Sequence, residues 1–219
     1  MIYVFVFLGS LIFPSFLIYY DRKNKQKISL IFKILGSLTF VIIGLIGVKE
    51  PLPPADRLFL MALFLGLTGD IFLHVRHLYK ESMPLFYIGG AAFFLGHVLY
   101  ILGILTKLEG RFIRPLYTGL LISFILCMLL NRVMKAGKVF RFLCACYIVF
   151  VTCFMTFSGG LFFSGFLKGR LILFIGSVFF WASDMLLFYG MFVRKAWIDT
   201  ALLYLYYTGQ CLIALSLSL

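Results

Sequence analysis

Two aspartates lie inside stretches that are otherwise apolar enough to cross a membrane. Asp70 lies within LFLGLTGDIFL and Asp184 within VFFWASDMLLF, and each is followed after a similar interval by a glycine and a polar residue, His97 and Gln210. A carboxylate in hydrocarbon costs at least ~2.5–3.5 kcal/mol on insertion scales, so such a residue is a candidate functional residue by default. Two carboxyl groups in unlike surroundings can divide proton transfer between them, one as a neutral acid and one as an ionised base. The pattern therefore predicts a functional polar cluster that includes Asp70 and Asp184.

The composition indicates that membrane helices position these groups. Hydrophobic residues make up 63% of the 219-residue chain and charged residues only 13%, which excludes a soluble domain of this size. The net charge of +12 does not indicate nucleic-acid binding here, because the basic residues separate apolar runs. They are better interpreted as topology signals and as contacts to anionic lipid headgroups.

Eight stretches are long enough to span a bilayer, which needs ~20 residues. They predict an all-α membrane protein, a bundle of eight transmembrane helices that forms a single domain over residues 1–219. The recurrence of an aspartate in the third and seventh spans predicts a tandem repeat of four helices, with halves of about 1–106 and 107–219. The predicted spans are 2–20, 28–48, 58–75, 84–106, 115–130, 140–166, 171–193 and 198–219.

Several local features carry further expectations. The sixth span is long enough to tilt or to break at Gly159 and Gly160. Lys33, near the basic end of the second span, is expected to extend its ammonium group toward the membrane surface. Asp199 is expected to cap the start of the last span. The first twenty residues have no basic segment before the apolar run and no small-residue cleavage site, so they predict a helix and not a signal peptide.

The basic residues also predict an orientation. Loops after odd-numbered spans, counted together with Arg141 at the start of the sixth span, contain twelve of the twenty Lys and Arg residues, and loops after even-numbered spans contain seven. Positive charge favours the cytoplasmic side, which would place both termini outside the cytoplasm.

Small residues directly precede the ionisable residues on the polar helices. At 100° per residue, the fourth and seventh spans each present a glycine, a phenylalanine, a small residue and then the polar group on one face. Small residues allow the close helix packing that brings a polar side chain against a partner and away from lipid. The third span has a shorter version of this face, with two glycines before the aspartate. The faces are Gly89, Phe93, Gly96, His97 and Tyr100, then Gly176, Phe180, Ser183, Asp184 and Leu187, and finally Gly66, Gly69 and Asp70.

These motifs resemble the lysoplasmalogenase family of YhhN-like membrane proteins. The similar elements are GD-x-x-L around Asp70, G-x-x-x-F-x-x-GH-x-x-Y-I around His97, G-x-x-x-F-x-x-SD-x-x-L around Asp184, and YYTGQCLIA around Gln210. The resemblance runs from about residue 58 to the C-terminus, and the eight-span layout agrees with it.

The resemblance implies an ether hydrolase that cleaves the vinyl ether of lysoplasmalogens to a fatty aldehyde and glycerophosphocholine or glycerophosphoethanolamine. Its partners would be the lysophospholipid substrate and membrane lipids, with no cofactor and no nucleic acid. Protonation of the alkenyl carbon gives an oxocarbenium ion. In glycosidases, two carboxyl groups supply the proton and stabilise a transition state of this kind. Asp70 and Asp184 would supply acid and base, while His97, Tyr100, Tyr206 and Gln210 would orient water or substrate. A bacterial inner membrane is the expected location.

Two other functions fit parts of the pattern. Asp70, His74 and His77 share one helix face, and with His97 they could form the metal site of a metal-dependent lipid hydrolase. Parallel repeats with acids at the midplane also occur in proton-coupled transporters. No proline lies near either aspartate, so neither helix is expected to be discontinuous, which favours a fixed site.

Overall fold

The computed structural model describes residues 2–108, 110–133, 136–193 and 195–219, and these form eight membrane-length helices with no β-strand among them. This confirms the predicted all-α bundle. Helices suit hydrocarbon because they satisfy every backbone hydrogen-bonding group internally. The helices are α1 (Ile2–Arg22), α2 (Gln26–Gly47), α3 (Pro54–Leu78), α4 (Met83–Leu105), α5 (Ile113–Val133), α6 (Lys138–Phe163), α7 (Lys168–Gly190) and α8 (Ala196–Leu215), the last extended by a 3₁₀ turn (Ser216–Ser218).

Three features of the helices bear on the sequence-based expectations. Helix α6 runs unbroken through Gly159 and Gly160, so of the two alternatives, tilting or breaking, the break is wrong. Helix α3 begins at Pro54, four residues before the expected start, because proline is well suited to the first helical turn, where its missing N–H is not needed. Asp199 lies within the first turn of α8 and Lys195 occupies the capping position, so Asp199 is not the N-terminal cap.

Helix α1 is the irregular one. Its segment Leu8–Ile12 forms a wider π-helical turn. Gly9, within that turn, lies so close to α2 and α8 that an added Cβ would overlap the side chains of Thr39 and Cys211. The helices that carry Asp70 and Asp184 contain no such interruption.

The two halves of the chain interlock along matching helices. Within each half, the third and fourth helices form the closest pair, α3 with α4 and α7 with α8. Between halves, α8 packs against α2 and α4 packs against α6, so the fourth helix of each half contacts the second helix of the other. Helix α5 lies at the periphery, mainly against α6.

Glycines set the spacing of the two closest helix pairs. A Cβ at Gly176 would lie 3.0 Å from the Gly209 carbonyl oxygen, and a Cβ at Gly96 would lie 3.4 Å from that of Ala62. Such close backbone approach is available only to small residues. It brings the residues that follow, His97 and Gln210, into the interior, where each is about 1% exposed.

Candidate functional site

Asp70 forms the centre of a fully hydrogen-bonded polar cluster. Its side chain is 2% exposed, and Oδ1 lies 2.9 Å from the Lys33 ammonium nitrogen on α2. The other oxygen, Oδ2, accepts hydrogen bonds from Ser37 at 2.5 Å and from the Tyr206 hydroxyl of α8 at 2.7 Å. A cation and two hydroxyl donors stabilise the ionised carboxylate. Asp70 is therefore an anion whose charge is matched inside the bundle.

Lys33 does not extend to the membrane surface, contrary to the sequence-based expectation. Its side chain is only 12% exposed and its ammonium group faces Asp70. The Lys33 backbone carbonyl also accepts a hydrogen bond from Tyr207 at 3.2 Å. An ion pair with a nearby intramembrane anion stabilises the Lys33 ammonium group better than extension of its side chain toward the distant headgroups does.

Asp184 has quite different surroundings. It is 6% exposed, its Oδ2 accepts a hydrogen bond from the Tyr147 hydroxyl of α6 at 3.1 Å, and the same oxygen lies 3.7 Å from His97 Nε2. Among the described residues, no lysine or arginine contacts this carboxyl group. A buried carboxylate without a cation carries a large desolvation cost. The neighbours of Asp184 therefore favour a carboxyl group that holds its proton.

His97 has one satisfied ring nitrogen and one free. Its Nδ1 lies 2.8 Å from the Phe93 carbonyl oxygen, and because a carbonyl can only accept, Nδ1 carries the hydrogen. In the neutral ring Nε2 is then a hydrogen-bond acceptor. This buried atom has no hydrogen-bond partner and faces Asp184. A proton on Asp184 and a lone pair on His97 thus lie side by side.

The polar partners are exchanged between the two halves. The sequence groups His97 with Asp70, which lies in the same half, but the structure places His97 beside Asp184 of the other half. In the reverse direction, Tyr206 of the second half donates to Asp70 of the first. The expectation that Asp70 has the histidine partner is therefore wrong. The cause is the packing, because each fourth helix contacts the opposite half.

Tyr100 and Gln210 form a third buried contact between the halves. The Tyr100 hydroxyl donates to Gln210 Oε1 at 3.0 Å, and the glutamine amide fits beside α3 only because Gly66 has no side chain there. Within the described part of the chain, neither residue hydrogen-bonds directly to an aspartate. They join α4 to α8, and Gln210 also lies against the Tyr206 hydroxyl of the Asp70 cluster.

Aromatic rings separate the two carboxyl clusters. The Phe180 ring stacks on His97 with ring centres 4.9 Å apart and lies 5.4 Å from the Tyr206 ring. Phe93 contacts Tyr206 from α4 at 5.8 Å. No hydrogen bond or ion pair joins Asp70 to Asp184 across this layer within the described part of the chain. The predicted site residues thus form two neighbouring polar sites and not one cluster.

The proposed metal ligands on α3 face other partners. His74 Nε2 lies 3.1 Å from the Ser29 hydroxyl of α2, and His77 Nδ1 lies 2.6 Å from Glu81 in the following loop. In residues 2–108, 110–133, 136–193 and 195–219, no three His, Cys, Asp or Glu side chains converge as a metal-ligand group. Asp70, His74 and His77 therefore do not come together as a metal site in the described part of the chain.

An apolar pocket opens beside the Asp184 cluster. It has a volume of about 530 Å³ and lies between α4, α6 and α7, within the size range of small-molecule sites. Tyr147 and Phe93 line it, so the hydroxyl that donates to Asp184 belongs to a pocket residue. Tyr87 and Leu143, which also line it, are nearly half exposed on the lipid-facing surface. A hydrocarbon chain could therefore enter from the bilayer and reach the vicinity of Asp184.

Three residues of the clusters were not identified as site residues from the sequence, Lys33, Ser37 and Tyr147. Their sequence spacing contains a signal for two of them. Asp184 follows Asp70 by 114 residues, and Tyr147 follows Lys33 by the same interval. At this common interval, a lysine lies beside one aspartate and a tyrosine beside the other.

Comparison with known proteins gives one match. The sequence model of the YhhN family matches residues 28–217, which includes every residue of both carboxyl clusters and extends further toward the N-terminus than the motif resemblance. Searches of curated proteins and of solved structures find no match. Because the match covers most of the protein, the chain is a multi-pass integral membrane protein that belongs to the YhhN family.

Proposed function

We propose that the protein is an intramembrane ether hydrolase that cleaves the vinyl ether of a lysoplasmalogen, releasing a fatty aldehyde and a glycerophospho-alcohol. The observation that carries the proposal is the Asp184–His97 pair, whose facing oxygen and nitrogen atoms lie 3.7 Å apart, beside an apolar pocket open to lipid. Vinyl ether cleavage needs a proton donor within reach of an apolar substrate, and this pair offers one. Membership of the YhhN family supports the same reaction class.

Asp184 is the proposed general acid. Its carboxyl group transfers a proton to the alkenyl carbon β to the ether oxygen, and the ether oxygen stabilises the resulting oxocarbenium ion. The carboxylate that remains balances this positive charge, as carboxylates do in glycoside hydrolysis. General acid catalysis of this kind typically contributes ~10²–10⁴-fold to a rate.

His97 completes the reaction as the proposed base. Its Nε2 accepts a proton from a water molecule as the water oxygen bonds to the carbon that carries the ether oxygen. The hemiacetal then loses the glycerol oxygen as an alcohol and leaves the aldehyde. Return of the proton from Nε2 to Asp184, across the 3.7 Å that separates them, restores the starting state.

Asp70 has a different proposed role. Its carboxylate already accepts from Lys33, Ser37 and Tyr206, so it has no proton to give. We assign it the positioning of α2, α3 and α8 around the aromatic layer. The sequence-based assignment of Asp70 and Asp184 as an acid–base pair, without a choice of which is the acid, stays a prediction.

The proposal is tested with purified protein in detergent, an alkenyl lysophospholipid and a measurement of aldehyde release. Activity should disappear when the alkenyl chain is replaced by a saturated ether chain, because no alkenyl carbon remains to accept the proton. Absence of aldehyde above a heat-inactivated control would contradict the hydrolase proposal. Aldehyde release from an Asp184→Asn variant at the wild-type rate would remove Asp184 from the mechanism.

Transport is less well supported. Helices α3 and α7 are continuous through Asp70 and Asp184, whereas transporter sites are typically formed by interrupted helices. Proton-coupled uptake of lysophospholipid into liposomes, without aldehyde release, would favour this alternative instead.

A further inference from the structure

A second cavity lies on the outer surface of the bundle, away from both carboxyl clusters. This groove, of about 610 Å³, is formed by α5, α6 and the start of α7. It lies toward the end of the bundle opposite the α3–α4 and α7–α8 loops, because its residues come from the start of α5 and the end of α6. The residues that line its length are Pro115, Thr118, Ile122, Met155, Gly159 and Phe174.

Two arginines, Arg111 and Arg114, line the mouth of the groove. Arg111 precedes α5 and Arg114 lies in its first turn, the level at which a membrane helix meets the lipid headgroups. Neither guanidinium group forms an ion pair or hydrogen bond with any described residue. Two cations that pair with none of the described residues at this level suit an external anion.

Among the described residues, the rest of the mouth adds no negative charge. Ser164 also lines the groove, and its hydroxyl accepts a hydrogen bond from Arg170 at 3.1 Å. Arg170 further donates to the backbone carbonyls of Leu161 and Gly165 at the end of α6. A third guanidinium group therefore lies next to the groove, and no acidic side chain in the described part of the chain lines it.

Below the arginines the groove is apolar and long enough for part of an acyl chain. The distance along α5 from Arg114 to Ile122 is about 12 Å at 1.5 Å per residue. Gly159 shapes the floor, since a Cβ there would lie 3.0 Å from the Phe174 ring. The groove thus joins a cationic mouth at headgroup level to an apolar channel that descends into the hydrocarbon region.

We infer that this groove binds an anionic glycerophospholipid, with the phosphate held by Arg111 and Arg114 and one acyl chain lying against Phe174. The charge complementarity of the mouth and the apolar length beneath it both fit that ligand. This site is separate from the proposed catalytic pocket, so it does not depend on the hydrolase activity. It would hold α5, which packs mainly on α6, to the remainder of the bundle.

The test is native mass spectrometry of the purified protein with phosphatidylglycerol, phosphatidylcholine and glycerophosphoglycerol as probes. Phosphatidylglycerol should bind, while phosphatidylcholine and the chain-free headgroup should bind much more weakly. Replacing both arginines, Arg111→Gln with Arg114→Gln, should weaken phosphatidylglycerol binding by about 10- to 30-fold, as expected when two cations near an anionic headgroup are removed. The matched control, Lys49→Gln with Lys168→Gln, removes the same charge from exposed positions outside the groove and should bind as the wild type does.

A third variant tests the apolar part of the groove. Thr118 is exposed and lines the groove, so Thr118→Trp fills the channel, keeps both arginines and should also weaken binding. Equal loss in the arginine and lysine variants, or equal binding of phosphatidylcholine, would overturn the inference. So would a dimer that the Thr118→Trp variant dissociates, because the groove would then be covered by a second copy.

Discussion

Asp70 and Asp184 occupy matching positions in the two halves of the chain, yet their charges are treated in opposite ways. Asp70 is paired with the Lys33 ammonium group and accepts from two hydroxyl groups. At the position equivalent to Lys33, Asp184 has Tyr147, a neutral donor. One difference in the second helix of each half therefore decides whether the aspartate is a matched anion or a proton carrier.

In the proposed mechanism, the two halves of the bundle separate stability from chemistry. A buried ion pair fixes three helices around Asp70, and breaking it would leave an unmatched charge in the bundle. Asp184 has no lysine or arginine partner among the described residues, so a change at Asp184 leaves no unmatched cation there. In the proposed mechanism its carboxyl group exchanges a proton with His97. Substitutions in the two halves should consequently affect different properties of the protein.

Asp184→Asn should produce the largest loss of activity. The amide keeps the size of the side chain but cannot deliver a proton, so the rate of aldehyde release should fall by ~10²–10⁴-fold. The thermal unfolding temperature should change little, because the hydrogen bond from Tyr147 can still be accepted by the amide oxygen. A large fall in unfolding temperature together with retained turnover per folded molecule would reverse the roles of the two halves.

Tyr147→Lys should convert the Asp184 half into a copy of the Asp70 half. The new ammonium group would ionise Asp184 and remove its proton, so turnover should fall by about 100-fold, the low end of a general-acid contribution. Tyr147→Phe is the control, since it removes only one hydrogen bond, worth about 1 kcal/mol, and introduces no charge. Equal activity in the lysine and phenylalanine variants would mean that the charge state of Asp184 does not matter.

Asp70→Asn should mainly affect stability. It leaves the Lys33 ammonium group without its anion, and breaking a buried pair in this way costs ~3–5 kcal/mol. Chemical or thermal unfolding of the protein in detergent measures the loss.

A double variant distinguishes a positioning role of Asp70 from a catalytic one. Asp70→Leu with Lys33→Met removes both charges at once, and replacing a buried pair by apolar residues is often neutral or stabilising. The double variant should regain both stability and aldehyde release. A stable double variant with no activity would instead make Asp70 a participant in the reaction, as the sequence first predicts.

Gly90→Phe should have the smallest effect, and it should act on substrate binding. Gly90 lines the pocket beside Tyr147, and a Cβ there meets no atom within 4 Å, so the new ring can occupy the pocket without displacing the helices. The KM for the alkenyl lysophospholipid should rise about tenfold, equivalent to ~1.4 kcal/mol, with little change in unfolding temperature. Gly90→Ala is the control and should behave as wild type; an unchanged KM in Gly90→Phe would show that substrate does not use this pocket.

The sequence was sufficient for the helices and for the buried faces of the polar ones. Long apolar runs separated by basic or proline-rich turns determine membrane helices almost directly, because hydrocarbon allows few alternatives. Periodicity correctly placed Phe93, His97 and Tyr100 on a buried face of α4. The sequence left open whether α6 continues through Gly159 and Gly160, because paired glycines weaken a helix without dictating a break.

The partners of the aspartates were beyond reach of the sequence alone. Which helix faces which depends on the packing of the whole bundle, and neighbours in the chain suggested His97 for Asp70 when the structure pairs it with Asp184. Lys33 was misjudged for the same reason, since a long cationic side chain can reach either the surface or an internal anion. The equal spacing of Lys33 and Tyr147 from their aspartates is visible in the sequence, but only the contacts reveal its meaning.

Infrared difference spectroscopy of the purified protein tests the central contrast most directly, because a protonated carboxylic acid has a carbonyl stretching band that shifts in D₂O and that a carboxylate lacks. The contrast predicts such a band at neutral pH in the wild type, its disappearance in Asp184→Asn, and its retention in the charge-free Asp70→Leu with Lys33→Met variant. A band that persists in Asp184→Asn and disappears in the double variant would contradict the assignment of the proton to Asp184.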